Sequence, residues 1–204
     1  MKRLHPSAGI AIGPILFVLA ILGILASVFA SGSGGSLGSA GVADRVTTDI
    51  LGQINLIRSK ITECQVQYLI NSKTYATGDC NQDPYPCSDQ TDGTLVSALT
   101  CPNDPLDGTD QRSLWTGLRP DTYPPATDGF GEWMYINAGL SGGRCIWTAP
   151  TNGNASAAIV DGLKRAALKF TSQELAYDDT SNTQKIVIFI TRPTGVVDTH
   201  CTVP

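Results

Sequence analysis

Three kinds of apolar pattern succeed one another along the chain. Residues 10–30, IAIGPILFVLAILGILASVFA, run for about 21 positions without a charged side chain. A helix needs roughly 20 apolar residues to cross a hydrocarbon core about 30 Å thick, and its backbone must satisfy its own polar groups there. The run is therefore expected to be a membrane-spanning helix. Residues 31–41, SGSGGSLGSAG, interrupt it with a Gly/Ser stretch, read as a hinge, a linker or a locally melted part of a helix. From Val42 the second pattern begins. Val46, Ile50, Ile54, Ile57, Ile61, Cys64 and Tyr68 recur at steps of three or four, the stripe of an amphipathic helix ending near Asn71 and Ser72. Thr48, Gln53, Asn55, Arg58, Lys60, Glu63 and Gln67 are expected on its polar face.

Residues 73–128 carry little periodicity and much turn-forming text, such as TYATGDCNQDPYPCSDQTDG and CPNDPLDGTDQ. A short helical piece fits Leu95 to Leu99. The third pattern belongs to strands. EWMYINA, the Gly-rich GLSGG and RCIWTAP read as a β-hairpin. Ser156 to Phe170 reads as a helix with Ile159, Leu163, Ala166, Ala167 and Phe170 inward, capped by Asn154 or Ser156. KIVIFIT at 185–191 is a continuous β-branched run, expected as a central strand buried on both faces. The fold class is α+β: a long N-terminal helix, apolar then amphipathic, on a small antiparallel sheet with a disulfide-clamped loop region. The divisions are 1–9, a basic leader; 10–30, the apolar helix; 31–41, the hinge; and 42–204, a globular domain. There is no internal repeat.

Charge adds direction. Lys2 and Arg3 precede the apolar run, so the positive-inside tendency leaves them in the cytoplasm and exports the residues beyond the run. The net charge is −4, and loss of Lys2 and Arg3 takes it to −6. A mildly acidic exported domain has no electrostatic reason to bind nucleic acid. Arg144, Lys164, Arg165 and Lys169 are the densest basic group, read as a solvated helix face. The six cysteines, Cys64, Cys80, Cys87, Cys101, Cys145 and Cys201, all lie after the apolar run, which suggests three disulfides in an oxidising compartment. Sequence alone does not choose among the possible pairings. Cys80 and Cys87 bracket a turn-rich hexapeptide, and Cys145 and Cys201 are expected on neighbouring strands or strand ends, which leans towards those two pairs and leaves Cys64 to reach Cys101. No C-x-x-C pair favours zinc.

Catalytic motifs are nearly absent, and neither enzymatic activity nor a cofactor is expected. His5 lies in the leader, and His200 has no nucleophile elbow beside it. Glu63, Glu132 and Glu174 read as surface or helix-end charges. Asp104, Asp107 and Asp110 form one candidate calcium loop, and Asp79, Asp83, Asp89 and Asp92 another. Neither has D-x-D-x-D-G spacing, so turn geometry is the simpler reading. Trp133, Tyr135 and Trp147 read as core of the hairpin; with Trp115 they also invite a stacking ligand.

The leader ending in Gly9 and the apolar run after it resemble the N-terminus of a type IV pilin or type II secretion pseudopilin. LAILGILASVF, Leu19 to Phe29, is similar to that family's V-A-I-I-G-I-L-A-A-I-A phase, with Gly23 at the family's glycine. The resemblance implies that prepilin peptidase cuts after Gly9 and methylates Ile10. It also implies that the subunit rests in the inner membrane before joining homologous subunits, through its apolar helix, in an extracellular filament or a periplasmic pseudopilus. Two positions depart from the pattern. Ile10 stands where the family usually has Phe. Pro14 stands at the fifth mature position, where the family has a Glu that pairs with a neighbour's N-terminal amine. Intramembrane charge is costly unless paired, so the change points to a minor or tip-like subunit, which has no neighbour ahead of it, or to a divergent pilin, more than to an ordinary major subunit.

Two plainer readings of the apolar run stay open. One is a signal peptide cut after Val28-Phe29-Ala30; the other is an uncleaved anchor. Either would make the chain a membrane-anchored or secreted disulfide-stabilised binding module, or an adhesin.

Overall fold

The computed structural model describes residues 36–70, 83–89, 91–102, 113–115, 123–151, 156–177 and 184–203. The apolar run, with Gly9, Ile10, Pro14 and Gly23, lies outside them, as do Cys80, Asp79, Asp104, Asp107 and Asp110. Among the described residues no helix is long and apolar enough to cross a membrane.

Helix α1 spans Ser36–Ile70. The second half of the expected Gly/Ser hinge is thus helical from Ser36 onward. Gly38 and Gly41 sit where an added Cβ would meet nothing within 4 Å. The predicted stripe is the buried one: Val46, Ile50, Ile54, Ile57, Ile61 and Cys64 all face inward. Its period of three to four is what lets one side of a helix cover a sheet.

The sheet has five antiparallel strands in the order β1-β2-β3-β5-β4. Strand β1 is Thr94–Leu95, β2 Met134–Asn137, β3 Arg144–Thr148, β4 Leu175–Tyr177 and β5 Ile186–Thr191. The hairpin expected at 132–150 is present as β2 and β3, with Met134 opposite Trp147 and Asn137 opposite Arg144. Its Gly-rich connection is one helical turn, α2 (Gly139–Gly142). The predicted second helix is α3, Ala157–Ala167, and Ser156 caps it by accepting from the Ile159 amide. The piece expected near Leu95–Leu99 is a 3-10 turn at Val96–Ala98. Strand β5 is flanked on both edges, by β3 and β4, as its unbroken apolar run requires.

Alternation along the strands splits the interior in two. Tyr135, Ile146, Ile186 and Ile188 point to the front, where they meet the α1 stripe, Trp133, and Leu163 and Ala166 of α3. Ile136, Cys145, Val187 and Phe189 point to the back, where Cys201 and the half-buried Trp147, Val197 and Val203 cover them. Successive side chains of a strand face opposite ways, so one strand feeds both cores.

Helices α1 and α3 touch through a glycine. A Cβ on Gly162 would lie 2.7 Å from the Ala43 carbonyl oxygen and 2.8 Å from the Val46 side chain. The Thr47 hydroxyl donates to the Gly162 carbonyl at 2.9 Å across the same contact. Only a residue without a side chain lets these backbones approach so closely.

Two disulfides close the described fold. Cys64–Cys101 ties the later part of α1 to the segment after β1, with Cα atoms 5.6 Å apart. Cys145–Cys201 ties β3 to the C-terminal 3-10 turn, Thr199–Cys201, with Cα atoms 5.7 Å apart. Both are among the expected pairings, although Cys201 lies in a 3-10 turn rather than on a strand or strand end. The expected third pairing, Cys80 with Cys87, lies outside the described residues through Cys80.

Candidate functional site

The long helix presents one flank to a segment of irregular chain, and a groove opens between them. Gln53 starts the construction. The sequence places it on the polar face, but it is 7% exposed. Its amide donates to the Pro125 carbonyl at 2.8 Å, and its amide oxygen accepts from Trp133 Nε1 at 2.6 Å. A buried amide needs such partners, and these two pin the 123–130 segment and the core tryptophan to the helix. Gln53 lies three residues after Ile50 and four before Ile57, on the edge of the apolar stripe. That offset is the signal that it belongs inside.

Above Gln53 the wall recedes. Gly52 leaves the helix surface bare, with nothing within 4 Å of an added Cβ. The resulting cavity measures about 420 Å³, bounded by Arg45, Asp49, Gly52 and Leu56 on one side and by Pro124 and Pro125 on the other. Its rim is charged. Arg45 lies 3.6 Å from Asp49 and 3.4 Å from Asp128, so one guanidinium spans two carboxylates and leaves the mouth net acidic. Thr127, also on the wall, is 5% exposed, and its hydroxyl has no hydrogen-bond partner among the described residues. A concave apolar floor with a few placed polar groups is the usual form of a ligand or partner site.

A second polar cluster lies at one end of the sheet. Arg144, expected on a solvated basic face, is 3% exposed and forms an ion pair with Asp83. Its other terminal nitrogen donates to the Thr191 hydroxyl at 3.1 Å, and its guanidinium carbon lies 4.2 Å from the centre of the Tyr85 ring. Asn137 donates to Asp83 at 3.3 Å and to the Pro86 carbonyl at 3.1 Å. The Tyr135 hydroxyl also donates to Pro86, at 3.1 Å. Burial pushes the Tyr135 phenol far above its usual range, so it stays protonated. The cluster clamps the 83–88 segment onto the sheet. Asp83 is thereby committed to Arg144 and Asn137 rather than to a cation. Asp89 closes a turn by accepting from the Thr91 amide at 2.6 Å and the Asp92 amide at 3.2 Å, and these bonds lower its pKa. Among the described residues no three His, Cys, Asp or Glu side chains gather as a metal set.

No family model matches the chain, and no curated protein or solved structure matches it either.

The remaining candidates are fastenings. His200 shares a hydrogen bond of 2.8 Å with Asp198 and lies 5.4 Å from the Trp147 ring, centroid to centroid. Lys185 also approaches that tryptophan, at 5.3 Å, and donates to the carbonyls of His200, at 2.6 Å, and Thr202, at 2.9 Å. Desolvation lowers the Lys185 pKa, with the Asp198 charge opposing. These groups hold the C-terminal segment over the back of the sheet. Trp133 and Tyr135 are core residues, at 1% and 0% exposure, and Trp115 donates its ring N–H to the Val96 carbonyl at 2.6 Å. The groove residues of 123–128 have no periodic signal in sequence; only the Pro-Pro pair marks the segment as irregular.

Proposed function

We propose that this chain is a structural subunit, minor or tip-like, of a type IV pilus or pseudopilus, assembling through its N-terminal apolar helix. The observation that carries the reading is the order of elements. A basic leader ending at Gly9 precedes an uncharged apolar run, and a second, amphipathic helix lays its Ile stripe on an antiparallel sheet.

The physical logic is an exchange of neighbours. An apolar helix is stable in lipid and in a bundle of like helices, so moving it from membrane to fibre changes its apolar burial little. The exported domain rides on that helix, and its crosslinks resist unfolding outside the cell. Pro14, lacking the carboxylate that would pair with a neighbour ahead, fits a subunit at the leading end.

The test is the mature N-terminus of the exported protein, read by mass spectrometry. A chain beginning at N-methylated Ile10 is the expected result, and Gly9→Leu should abolish leader removal. A chain beginning at Ser31 would establish a cleaved signal peptide. One beginning at Met1 would establish a simple anchor, and either would sink the filament reading.

A further inference from the structure

The two flanks of α1 are unlike, and they are complementary. At about 100° per residue, Thr47 and Arg58 fall on one side of the helix and Arg45, Gly52 and Leu56 on the other. The contacts agree. Thr47 meets α3 at Gly162, and Arg58 meets Glu174 at 3.3 Å, while Gln53 and Arg45 hold the 124–128 segment on the far flank. The groove therefore opens on one side of α1, and α3 occupies the other.

The end of α3 carries a feature that matches the groove. Leu168, its C-cap, is 84% exposed. Lys169 follows it and is exposed. An apolar knob beside a cation thus stands on one flank. An apolar cavity, floored by Leu56 and Pro124–Pro125 and rimmed by Asp49 and Asp128, opens on the other.

We propose that the groove takes the α3 end of a second copy of this chain, with Leu168 seated against Leu56 and Pro125, and Lys169 facing Asp128. Charge complementarity selects this occupant: Lys169 flanks the knob, and the mouth stays net acidic with Arg45 between its two carboxylates. The contact is heterologous, joining different patches on the two copies. Repetition therefore builds an open row rather than a closed pair. A lone leucine with one exposed ion pair is a weak contact by itself. In a row already held by apolar helices the effective concentration is high, and a weak contact then suffices to set the register. This inference deepens the filament reading and rests on it for the second copy.

The experiment uses the full-length chain in the cells that assemble it. A photo-crosslinking benzoylphenylalanine replaces Leu168, and irradiated products are mapped by mass spectrometry. The expected product joins position 168 to a peptide of a second copy containing Leu56 or Pro124 to Asp128. Adducts elsewhere on the second copy, on another protein only, or none at all overturn the proposal. Charge reversal gives an independent arm in the crosslinking background. Lys169→Glu and Asp128→Lys should each lower the dimer yield at least about fivefold, and the double reversal should restore it to within about twofold. A double variant as poor as either single one overturns the pairing. The N-terminus of the same samples separates the two ideas. Processing at Ile10 without the adduct removes the groove contact and leaves the filament. The adduct in a chain that begins elsewhere keeps the contact and removes the filament.

Discussion

The two faces of the sheet solve the same problem by different means. The front carries a long helix whose isoleucine stripe, with Trp133, Leu163 and Ala166, fills a wide apolar layer. The back has no long helix among the described residues, only the 3-10 turn Thr199–Cys201. Ile136, Val187 and Phe189 are covered by a short irregular tail, held by Cys145–Cys201, by the two carbonyl bonds of Lys185, and by Arg192, whose guanidinium lies 4.3 Å from the Phe189 ring and bonds the carbonyls of Ser172 and Gln173. Apolar area does most of the holding for a large element, because its contribution scales with the surface removed from water, and Cys64–Cys101 adds one crosslink at the end of the stripe. A tail of a dozen residues removes too little, so covalent and charged fastenings take over. The faces should accordingly fail in different ways.

The largest effect is expected where the front face ends in charge. Asp83→Ala leaves the buried Arg144 unpaired, and breaking one partner of such a pair costs about 3–5 kcal/mol. A urea titration of the detergent-solubilised full chain should show a much lower midpoint. The double variant Asp83→Leu, Arg144→Met should recover a large part of it, since replacing both charges removes the desolvation cost as well. A second test addresses the back. Cys201→Ser opens a crosslink spanning 56 residues, a loss of about 2–4 kcal/mol. Amide hydrogen exchange should show the 192–203 tail losing protection first, while α1 keeps its own. Equal loss on both faces would erase the distinction between them. Smaller is Gly162→Ala, which forces α3 off α1; overpacking of this kind costs about 1–3 kcal/mol, read as a lower Tm. The smallest effect concerns Glu174. It accepts from the Thr171 amide and hydroxyl at 3.2 and 3.1 Å, and these bonds, with Arg58 behind them, hold its pKa below the ordinary value. A depressed carboxylate contributes stability above its unfolded pKa and loses it as pH falls through the folded one. The Tm of the wild type should exceed that of Glu174→Gln at neutral pH, and the two should converge as pH falls through the depressed folded pKa.

Legibility in sequence depends on how local each signal is. The stripe Val46 to Cys64, the hairpin, α3 and β5 are written in periods of two or three to four, which a short window contains. The pairing of Cys145 with Cys201 was anticipated on a premise only half met: Cys145 lies on β3, but Cys201 lies in a 3-10 turn beyond the last strand. The polar interior was not legible. Whether Gln53 or Arg144 is buried depends on Pro125, Trp133 and Asp83, which come from distant segments, and composition alone assigns such residues to the surface. A trace existed in each case. Arg144 begins a strand whose next residues are Cys145 and Ile146, and Asn137 ends the strand opposite. The groove was invisible because it is a gap between elements, and a gap has no residues of its own.

The long helix lies side-on against the sheet rather than end-on, and this sets how the domain bears mechanical load. A pull along the axis of α1 must slide the whole Ile stripe past the strands at once instead of peeling it away turn by turn. Cys64–Cys101 adds a covalent stop towards the far end of that stripe. Shear geometry with such a stop resists load along the axis of the helix.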